Sequence, residues 1–232
     1  MIEAPRYAIY FIPAMESDLY RFGRSILGYD CYTGESVPFP ADLEAKAVDW
    51  HKLTVEPRCY GFHATLKAPF HLAPSCSEKQ LTSAVINFAK LGHQVARTEP
   101  DVRALGNFIA LVPREQSAVL NALANRCTTI FDAFRAPMSA QERARRAASR
   151  LSARQLQNLD RWGYPYVFDD FRFHMTLTGP VPAAARDEVL AALRWLFSRV
   201  CGEREITVDR LALVKQLHTG SPFRVICQAG LS

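Results

Sequence analysis

Two apolar stretches of the sequence each place a histidine and a threonine two residues apart. YGFHATLKAPF (60–70) contains His63 and Thr65, and FRFHMTLTGP (171–180) contains His174 and Thr176. A neutral imidazole can take a proton from water, an imidazolium can protonate a leaving oxygen, and hydroxyl groups can hold phosphate oxygens. The pattern therefore predicts metal-independent hydrolysis of a phosphodiester, with these four residues as the catalytic set.

Both stretches are typical of β-strands, in which side chains alternate between two faces. In the first strand the polar face carries His63, Thr65 and Lys67. In the second it carries Arg172, His174, Thr176 and Thr178. The opposite faces are entirely apolar, so we expect the polar faces to line one cleft. Lys67 and Arg172 are candidate substrate-binding cations, although each could equally be solvated.

A single His-x-Thr in a strand is more often a hydrogen-bonded pair without catalytic function. Here the pattern occurs twice, each time before the same order of elements, and this favours a functional pair. A zinc site normally needs three protein ligands, and only His63 and His174 are paired, although Asp169 and Asp170 lie near the second motif. We therefore predict neither a metal nor another cofactor.

The order of elements after each motif indicates a repeat. Ser77 and Gln80 form a capping box that opens a helix, and two β-rich stretches follow at 93–105 and 107–113. After the second motif a helix begins at Pro182, and residues 205–230 read as two strands of a hairpin. We predict an α+β fold: one domain over 1–232, with two pseudo-symmetric lobes of antiparallel sheet and flanking helices around a central cleft.

An arginine-rich segment separates the halves. Residues 135–161 account for the whole net charge of +5, because they contain seven arginines and only two acidic residues. Within about 135–165, capping-box patterns at Ser139 and Ser152 predict one or two short inserted helices.

Helical spacing places Arg143, Arg146 and Arg150 in one stripe of this insert. Two interpretations remain open. The stripe is a solvated helix face, or the insert covers the cleft and its arginines bind a second, non-reacting phosphate of the substrate.

The composition narrows the class of protein. The six cysteines show no C-x-x-C spacing, so neither a zinc ribbon nor a disulfide framework is indicated, and ordinary buried thiols are expected. The apolar runs fall short of the roughly 18 residues of a membrane helix. We expect a cytoplasmic protein that does not bind membranes and acts on a small phosphorylated substrate. The sequence does not indicate an oligomeric state.

The two His-x-Thr-Leu motifs resemble the signature of the 2H phosphoesterase superfamily, which includes cyclic nucleotide phosphodiesterases and LigT-like proteins that process RNA ends. YGFHATLKAPF, WGYPYVFDDFRFHMTLTGP and DRLALVKQ are similar to the DUF1045 group within it, which is associated with phosphonate breakdown. This resemblance implies two sheet lobes around a cleft and catalysis by His63, Thr65, His174 and Thr176. Thr178 stands where the first motif has Lys67, so the two halves are not equivalent.

The same resemblance implies a particular substrate, 5-phosphoribosyl 1,2-cyclic phosphate. A 2′,3′-cyclic nucleotide or RNA-end phosphodiesterase is the alternative enzyme. A non-catalytic RNA- or nucleotide-binding module is a third hypothesis, which the scarcity of aromatic residues among the insert's arginines disfavours.

Overall fold

A computed structural model describes residues 4–44, 49–115, 117–202 and 205–232. The strands are β1 Arg6–Phe11, β2 Ala64–His71, β3 Ala96–Thr98, β4 Pro100–Leu105, β5 Phe108–Pro113, β6 Met175–Thr176, β7 Ile206–Val208, β8 Arg210–Gln216 and β9 Arg224–Gly230. The helices are α1 Asp18–Leu27, α2 Ala41–Glu44, α3 Trp50–Arg58, α4 Glu78–Ala89, α5 Ala118–Phe131, α6 Ala140–Ala147, α7 Ala153–Trp162 and α8 Arg186–Cys201.

The strands confirm the predicted α+β class with antiparallel pairing. A seven-stranded sheet has the order β4-β5-β6-β2-β1-β8-β9, and β3 pairs with β7 in a second, two-stranded sheet. The strands of both motifs are neighbours at the centre of the large sheet. They pair at Ala64 and Met175, so the two halves of the protein are joined into one continuous sheet at this point.

The two halves exchange strands. β4 and β5 follow the first motif along the chain, but β5 pairs with β6 of the second motif. β8 and β9 follow the second motif, but β8 pairs with β1 beside β2. Each motif is therefore supported by strands from the other half of the sequence.

The second motif forms a shorter strand than its sequence pattern predicts. Only Met175 and Thr176 belong to β6, whereas the pattern indicates a strand over 171–180. After Thr176 the backbone N–H groups of Leu177 and Thr178 both donate to the Ile109 carbonyl, and that of Gly179 donates to Leu53. The chain thus leaves the regular ladder immediately after the motif.

Helices cover the apolar face of the sheet. α1 contacts α8, α8 contacts β4, and α4 contacts β8 and β9. Phe22 of α1 packs edge-on against Phe62, the neighbour of His63. Gly23 allows this close approach, because a Cβ atom there would lie 2.0 Å from the Phe62 ring. The apolar core thereby fixes the backbone that presents His63 on the opposite face.

The predicted insert forms the helices α6 and α7. Ser152 and Gln155 make both hydrogen bonds of a capping box, as do Ser77 and Gln80 at the start of α4. Ser139 caps α6 with its hydroxyl group alone, because the Glu142 carboxylate instead binds Arg146 of the next helical turn.

Among the helices that the structure describes, none has the length and apolar character needed to cross a membrane. The six cysteines are free thiols. Cys31, Cys127 and Cys201 are buried as expected, whereas Cys59, Cys76 and Cys227 are partly exposed.

Candidate functional site: a His–Thr cluster between two cavities

The pairing of β2 with β6 brings the four predicted catalytic residues together. Because Ala64 lies opposite Met175 in antiparallel strands, the register places His63 opposite Thr176 and Thr65 opposite His174. Directly opposed residues share a face of the sheet, with Cβ atoms about 4.5–5.5 Å apart. We call these four residues the His–Thr cluster. Each imidazole has the other motif's threonine as its cross-strand neighbour, and the imidazoles lie on a diagonal.

Both imidazoles are oriented by the same local contact. Nδ1 of His63 lies 2.9 Å from the carbonyl oxygen of Gly61, and Nδ1 of His174 lies 2.8 Å from that of Arg172. A carbonyl can only accept, so Nδ1 carries the hydrogen in each ring and Nε2 is left for chemistry. Nε2 of His63 is 3.1 Å from the Thr65 hydroxyl oxygen.

Gly61 shapes the first of these contacts. Its φ of +71° lies in the left-handed region that favours glycine, and a Cβ atom would lie 2.8 Å from that of Cys31. The turn directs the Gly61 carbonyl toward the ring of His63.

His63 lies in an aromatic environment. The ring of Tyr10 stacks on it with a centroid distance of 3.8 Å and an interplanar angle of 24°. Burial lowers the pKa of His63 to about 4; the Gly61 carbonyl opposes this effect and His174 adds to it. His63 is therefore neutral at pH 7 in the free protein. Tyr10 is fully buried, and its hydroxyl has no hydrogen-bond partner among the described residues.

The His–Thr cluster borders two cavities. His63 and Thr176 line a cavity of about 310 Å³, which we call the small cavity. Thr65 and His174 line another of about 640 Å³, the large cavity. Phe108 lines both, so the cavities adjoin at the cluster.

The large cavity is enclosed by α5, by the β4–β5 hairpin and by the segment that leads into the second motif. Aromatic and aliphatic side chains form much of its wall: Leu105, Phe108, Val112, Tyr164, Tyr166, Val167, Phe168, Phe171 and Phe173. Three cations also line it, Arg103, Arg114 and Arg172. Phe168 has a φ of +55°, which is uncommon for a bulky residue and marks a strained backbone at this wall.

Lys67 lies away from both cavities. Its ammonium group is 2.7 Å from Asp132 and 3.0 Å from the carbonyl oxygen of Thr128, and the side chain is 3% exposed. Burial lowers the pKa of Lys67, although the hydrogen bond from its ammonium group to Asp132 opposes the change. Lys67 thus anchors β2 to α5, whereas the sequence pattern suggested a substrate contact.

The arginines of the insert's stripe do not line either cavity. Arg143 forms two hydrogen bonds with Asp160 of α7, at 2.6 and 3.0 Å. Arg146 binds Glu142 and the carbonyl oxygens of Gly163 and Pro69. Arg150 is exposed in the turn between the two helices. Among the residues predicted to bind substrate, Arg172 is the one that lines the large cavity.

The insert is nevertheless hydrogen-bonded to one residue of the wall of the large cavity, Asp170. Arg154 of α7 forms two hydrogen bonds with Asp170, at 2.8 and 3.1 Å, and Gln155 donates a third. Asp170 belongs to the wall of the large cavity. In the part of the chain that the structure describes, no three His, Cys, Asp or Glu side chains are grouped so as to hold a metal ion.

The sequence reasoning did not identify Tyr10, Arg103, Phe108 or Tyr164 as part of the site. Tyr10 is opposite Thr65 on β1, and Arg103 is opposite Ala110, which in turn is opposite Thr176. Tyr10 and Arg103 reach the cluster through strand register, whereas Tyr164 lies in the segment between α7 and the second motif. The alternating patterns at residues 6–13 and 93–113 predict strands, but they do not indicate which residues of neighbouring strands pair.

Two curated proteins are similar to almost the whole of this chain, including both motifs. A ribose 1,5-bisphosphate phosphokinase PhnN from Janthinobacterium sp. (strain Marseille) is 35% identical over 221 residues, which are 94% of this chain and 49% of that protein. One of the same name from Laribacter hongkongensis (strain HLHK9) is 32% identical over 224 residues, 95% of this chain and 50% of the relative. The chain thus spans about half the length of these curated relatives.

Solved structures align over the full chain. The crystal structure of E. coli LigT complexed with 3′-AMP covers 99% of both chains with a TM-score of 0.47 and 14% identity. A crystal structure of a phosphoesterase gives a TM-score of 0.43, with the same coverage and identity.

A family model described as "Protein of unknown function (DUF1045)" matches residues 65–224. The matched range begins at Thr65, contains the second motif and extends to the first residue of β9. Since it covers more than half of the chain and three members of the His–Thr cluster, the chain belongs to the DUF1045 family.

Proposed function

We propose that the protein hydrolyses a cyclic phosphodiester at the His–Thr cluster. The observation that carries this proposal is the register of β2 and β6, which sets two imidazoles on a diagonal with a threonine hydroxyl opposite each. Both cavities open at this point, so a phosphate group over the cluster can extend into either. The resemblance of both motifs to the 2H phosphoesterase signature supports the same chemistry.

The proposed reaction forms one bond to phosphorus and breaks another. One neutral imidazole accepts a proton from water as the water oxygen attacks phosphorus, and the other, protonated, donates a proton to the departing ring oxygen. Thr65 and Thr176 hydrogen-bond the non-bridging oxygens, whose charge increases in the transition state. An anionic diester beside the rings favours their charged form. One imidazole is therefore expected to bind a proton together with the substrate.

The proposed substrate is 5-phosphoribosyl 1,2-cyclic phosphate. Hydrolysis of its bond between phosphorus and the 2-oxygen gives ribose 1,5-bisphosphate, the compound in the name of the two curated relatives. The kinase activity in that name is not part of this proposal. The sequence contains no G-x-x-x-x-G-K-[ST] motif, since Gly23 and Gly28 are followed by Tyr29 and Asp30.

A 2′,3′-cyclic nucleotide or an RNA end is the second candidate substrate. The tyrosine and phenylalanine rings in the wall of the large cavity favour it, because aromatic side chains stack on nucleobases. Turnover, rather than binding alone, separates both enzyme proposals from a non-catalytic nucleotide-binding module.

Phosphorus NMR of the purified protein tests the proposal. The panel contains 5-phosphoribosyl 1,2-cyclic phosphate and 2′,3′-cyclic AMP, each with and without EDTA. We expect turnover that survives EDTA, with a bell-shaped dependence of kcat/KM on pH in which one limb lies near the pKa of about 4 that burial gives His63 in the free protein. Loss of activity on chelation, restored by zinc, would assign the chemistry to a metal.

Variants locate the activity at the cluster. His63→Ala and His174→Ala are each expected to lower kcat by about 10²–10⁴ while the protein stays folded. His218→Ala is the matched control, because His218 is exposed in the loop between β8 and β9 and lines neither cavity. Near wild-type kcat in either cluster variant would contradict the paired-histidine mechanism.

A further inference from the structure

The large cavity extends well beyond the group that the His–Thr cluster would bind. Thr65 and His174 lie at its border, and the remaining wall combines aromatic rings with three arginines. A volume of about 640 Å³ lies within the range of small-molecule sites. The part of the substrate that is not cleaved therefore has a candidate location.

The three arginines differ in their partners. Arg103 forms an ion pair with Asp101 at 2.7 Å, and Arg114 forms one with Glu99 at 3.2 Å. Arg172 donates through one guanidinium nitrogen to two backbone carbonyls, those of Asp169 and Phe171, at 3.0 and 2.8 Å. Among the described residues it has no carboxylate within ion-pair distance. Its guanidinium is thus held in place by backbone carbonyls and is not hydrogen-bonded to a carboxylate among the described residues.

The carboxylate of the wall, Asp170, interacts electrostatically with Arg172 but forms its hydrogen bonds with other side chains. Asp170 is bonded twice by Arg154, and Gln155 donates to it as well. The hydrogen bond from Arg154 lowers the pKa of Asp170 most, and the charge of Arg172 lowers it by a smaller amount. The ion pair with α7 satisfies the carboxylate, and the large cavity keeps a net positive wall beside His174.

The positions of Arg172 and Arg103 relative to the cluster follow from the strands. Arg172 is two residues before His174, so their Cα atoms lie at most about 7 Å apart, and the buried Phe171 and Phe173 alternate with these two more exposed residues. Arg103 is two strands from Thr176 on the same face, about 9.5 Å across the sheet. A ligand that reaches from the cluster to these cations spans roughly one sugar ring.

We propose that the large cavity is a subsite for a ring carrying a second phosphate, with Arg172 as the phosphate-binding residue and Arg103 at its far side. This inference rests on the proposed function, because it places the cleaved diester at the His–Thr cluster. It assigns phosphate recognition to the wall of the cavity and not to Arg143, Arg146 or Arg150 of the insert. Arginine suits this role, since its planar fork can bind a phosphate through two hydrogen bonds.

The test compares two substrates that differ in one phosphate: 5-phosphoribosyl 1,2-cyclic phosphate and ribose 1,2-cyclic phosphate. For Arg172→Gln we expect kcat/KM to fall about 10- to 100-fold on the first substrate and to stay unchanged on the second. Arg172→Lys keeps the charge without the fork and should lose less. Arg97→Gln is the matched control, because Arg97 is an exposed arginine on β3 that lines neither cavity.

Equal losses on both substrates, or no loss, would overturn the subsite. So would a selective loss in Arg143→Gln or Arg150→Gln without one in Arg172→Gln.

A binding experiment separates this inference from the proposed reaction. If the wild-type protein cleaves neither compound, the proposed function fails, and titration with ribose 5-phosphate by NMR then decides the subsite alone. Binding weakened at least 10-fold by Arg172→Gln but not by Arg97→Gln supports it, and any other result rejects it.

Discussion

The ion pair between Lys67 and Asp132 makes a sharp prediction, because a sequence pattern had suggested that Lys67 contacts substrate. The two variants to compare are Lys67→Met and Asp132→Asn. In the folded protein the Lys67 side chain is 3% exposed and that of Asp132 is 19% exposed, with 2.7 Å between the charged atoms. Removing one partner of a buried pair costs about 3–5 kcal/mol, since the other charge is left without compensation.

The surroundings of each partner rank the two variants. In Lys67→Met, Asp132 still has two hydrogen bonds from Arg135, at 2.7 and 3.2 Å, so we expect a loss of about 3 kcal/mol. In Asp132→Asn, the amide oxygen can still accept a hydrogen bond, but the buried ammonium of Lys67 and the guanidinium of Arg135 both lose their counter-charge. For Asp132→Asn we expect the free energy of unfolding to fall by about 5 kcal/mol.

Urea unfolding measures these losses, and steady-state kinetics on the cyclic substrate measures KM. The double variant should lose less than the sum of the single variants, by roughly 0.5–3 kcal/mol. Burial opposes ionisation of Asp132, but hydrogen bonds from Arg135 and Lys67 lower its pKa overall. The stabilisation is therefore present above the unfolded pKa and is lost as the pH falls below about 4. A Lys67→Met protein within 1 kcal/mol of wild type, with KM raised 10-fold, would refute the structural role and restore the substrate contact.

Four further predictions concern the cluster and its support. Gly61→Ala should destabilise the protein by about 1–3 kcal/mol and lower kcat, because the left-handed turn aims the carbonyl that orients His63; thermal unfolding and kinetics measure both effects. Between pH 6.5 and about 4 the unfolded chain binds a proton that folded His63 does not. Stability should therefore fall on acidification by up to about 1.4 kcal/mol per pH unit, and His63→Gln should remove this contribution in urea titrations. Thr65→Val and Thr176→Val should each weaken transition-state stabilisation by about 1–3 kcal/mol in kcat/KM, and mass spectrometry should find no phosphothreonine. Tyr10→Phe should leave the free energy of unfolding unchanged or slightly raise it, because it removes a buried hydroxyl that has no partner among the described residues; a loss above 1 kcal/mol would show that the hydroxyl is satisfied.

Much of the fold follows from local sequence signals. Capping residues such as Ser77 and Ser152 mark where helices start, and alternating patterns mark the strands that follow each motif. The faces of the motif strands were also predictable, since alternation alone puts His63 and Thr65 on one side. The pairing of Ala64 with Met175 was not, because it joins residues 111 positions apart and no local pattern specifies that register.

The arginines show why composition predicts a site poorly. The insert concentrates positive charge, but the partners that neutralise it, Asp160 and Asp170, lie on or beyond the second helix. Their pairing depends on how α6, α7 and the following segment fold back on one another. Strand alternation made Arg172 a candidate, as it did Lys67, but only the fold places Arg172 in the cavity wall and Lys67 away from it.

The exchange of strands between the two halves has a consequence for how the protein folds. β5 must find β6, and β8 must find β1, across more than 60 and 200 residues respectively. Such non-local pairing requires closing long loops before contacts form, and it slows folding relative to local topologies. Neither half can complete its part of the sheet alone, so we expect the two chain halves, expressed separately, to stay unfolded until mixed. Two copies that exchange equivalent halves would build the same sheet twice, which makes a domain-swapped dimer the expected product of refolding at high concentration.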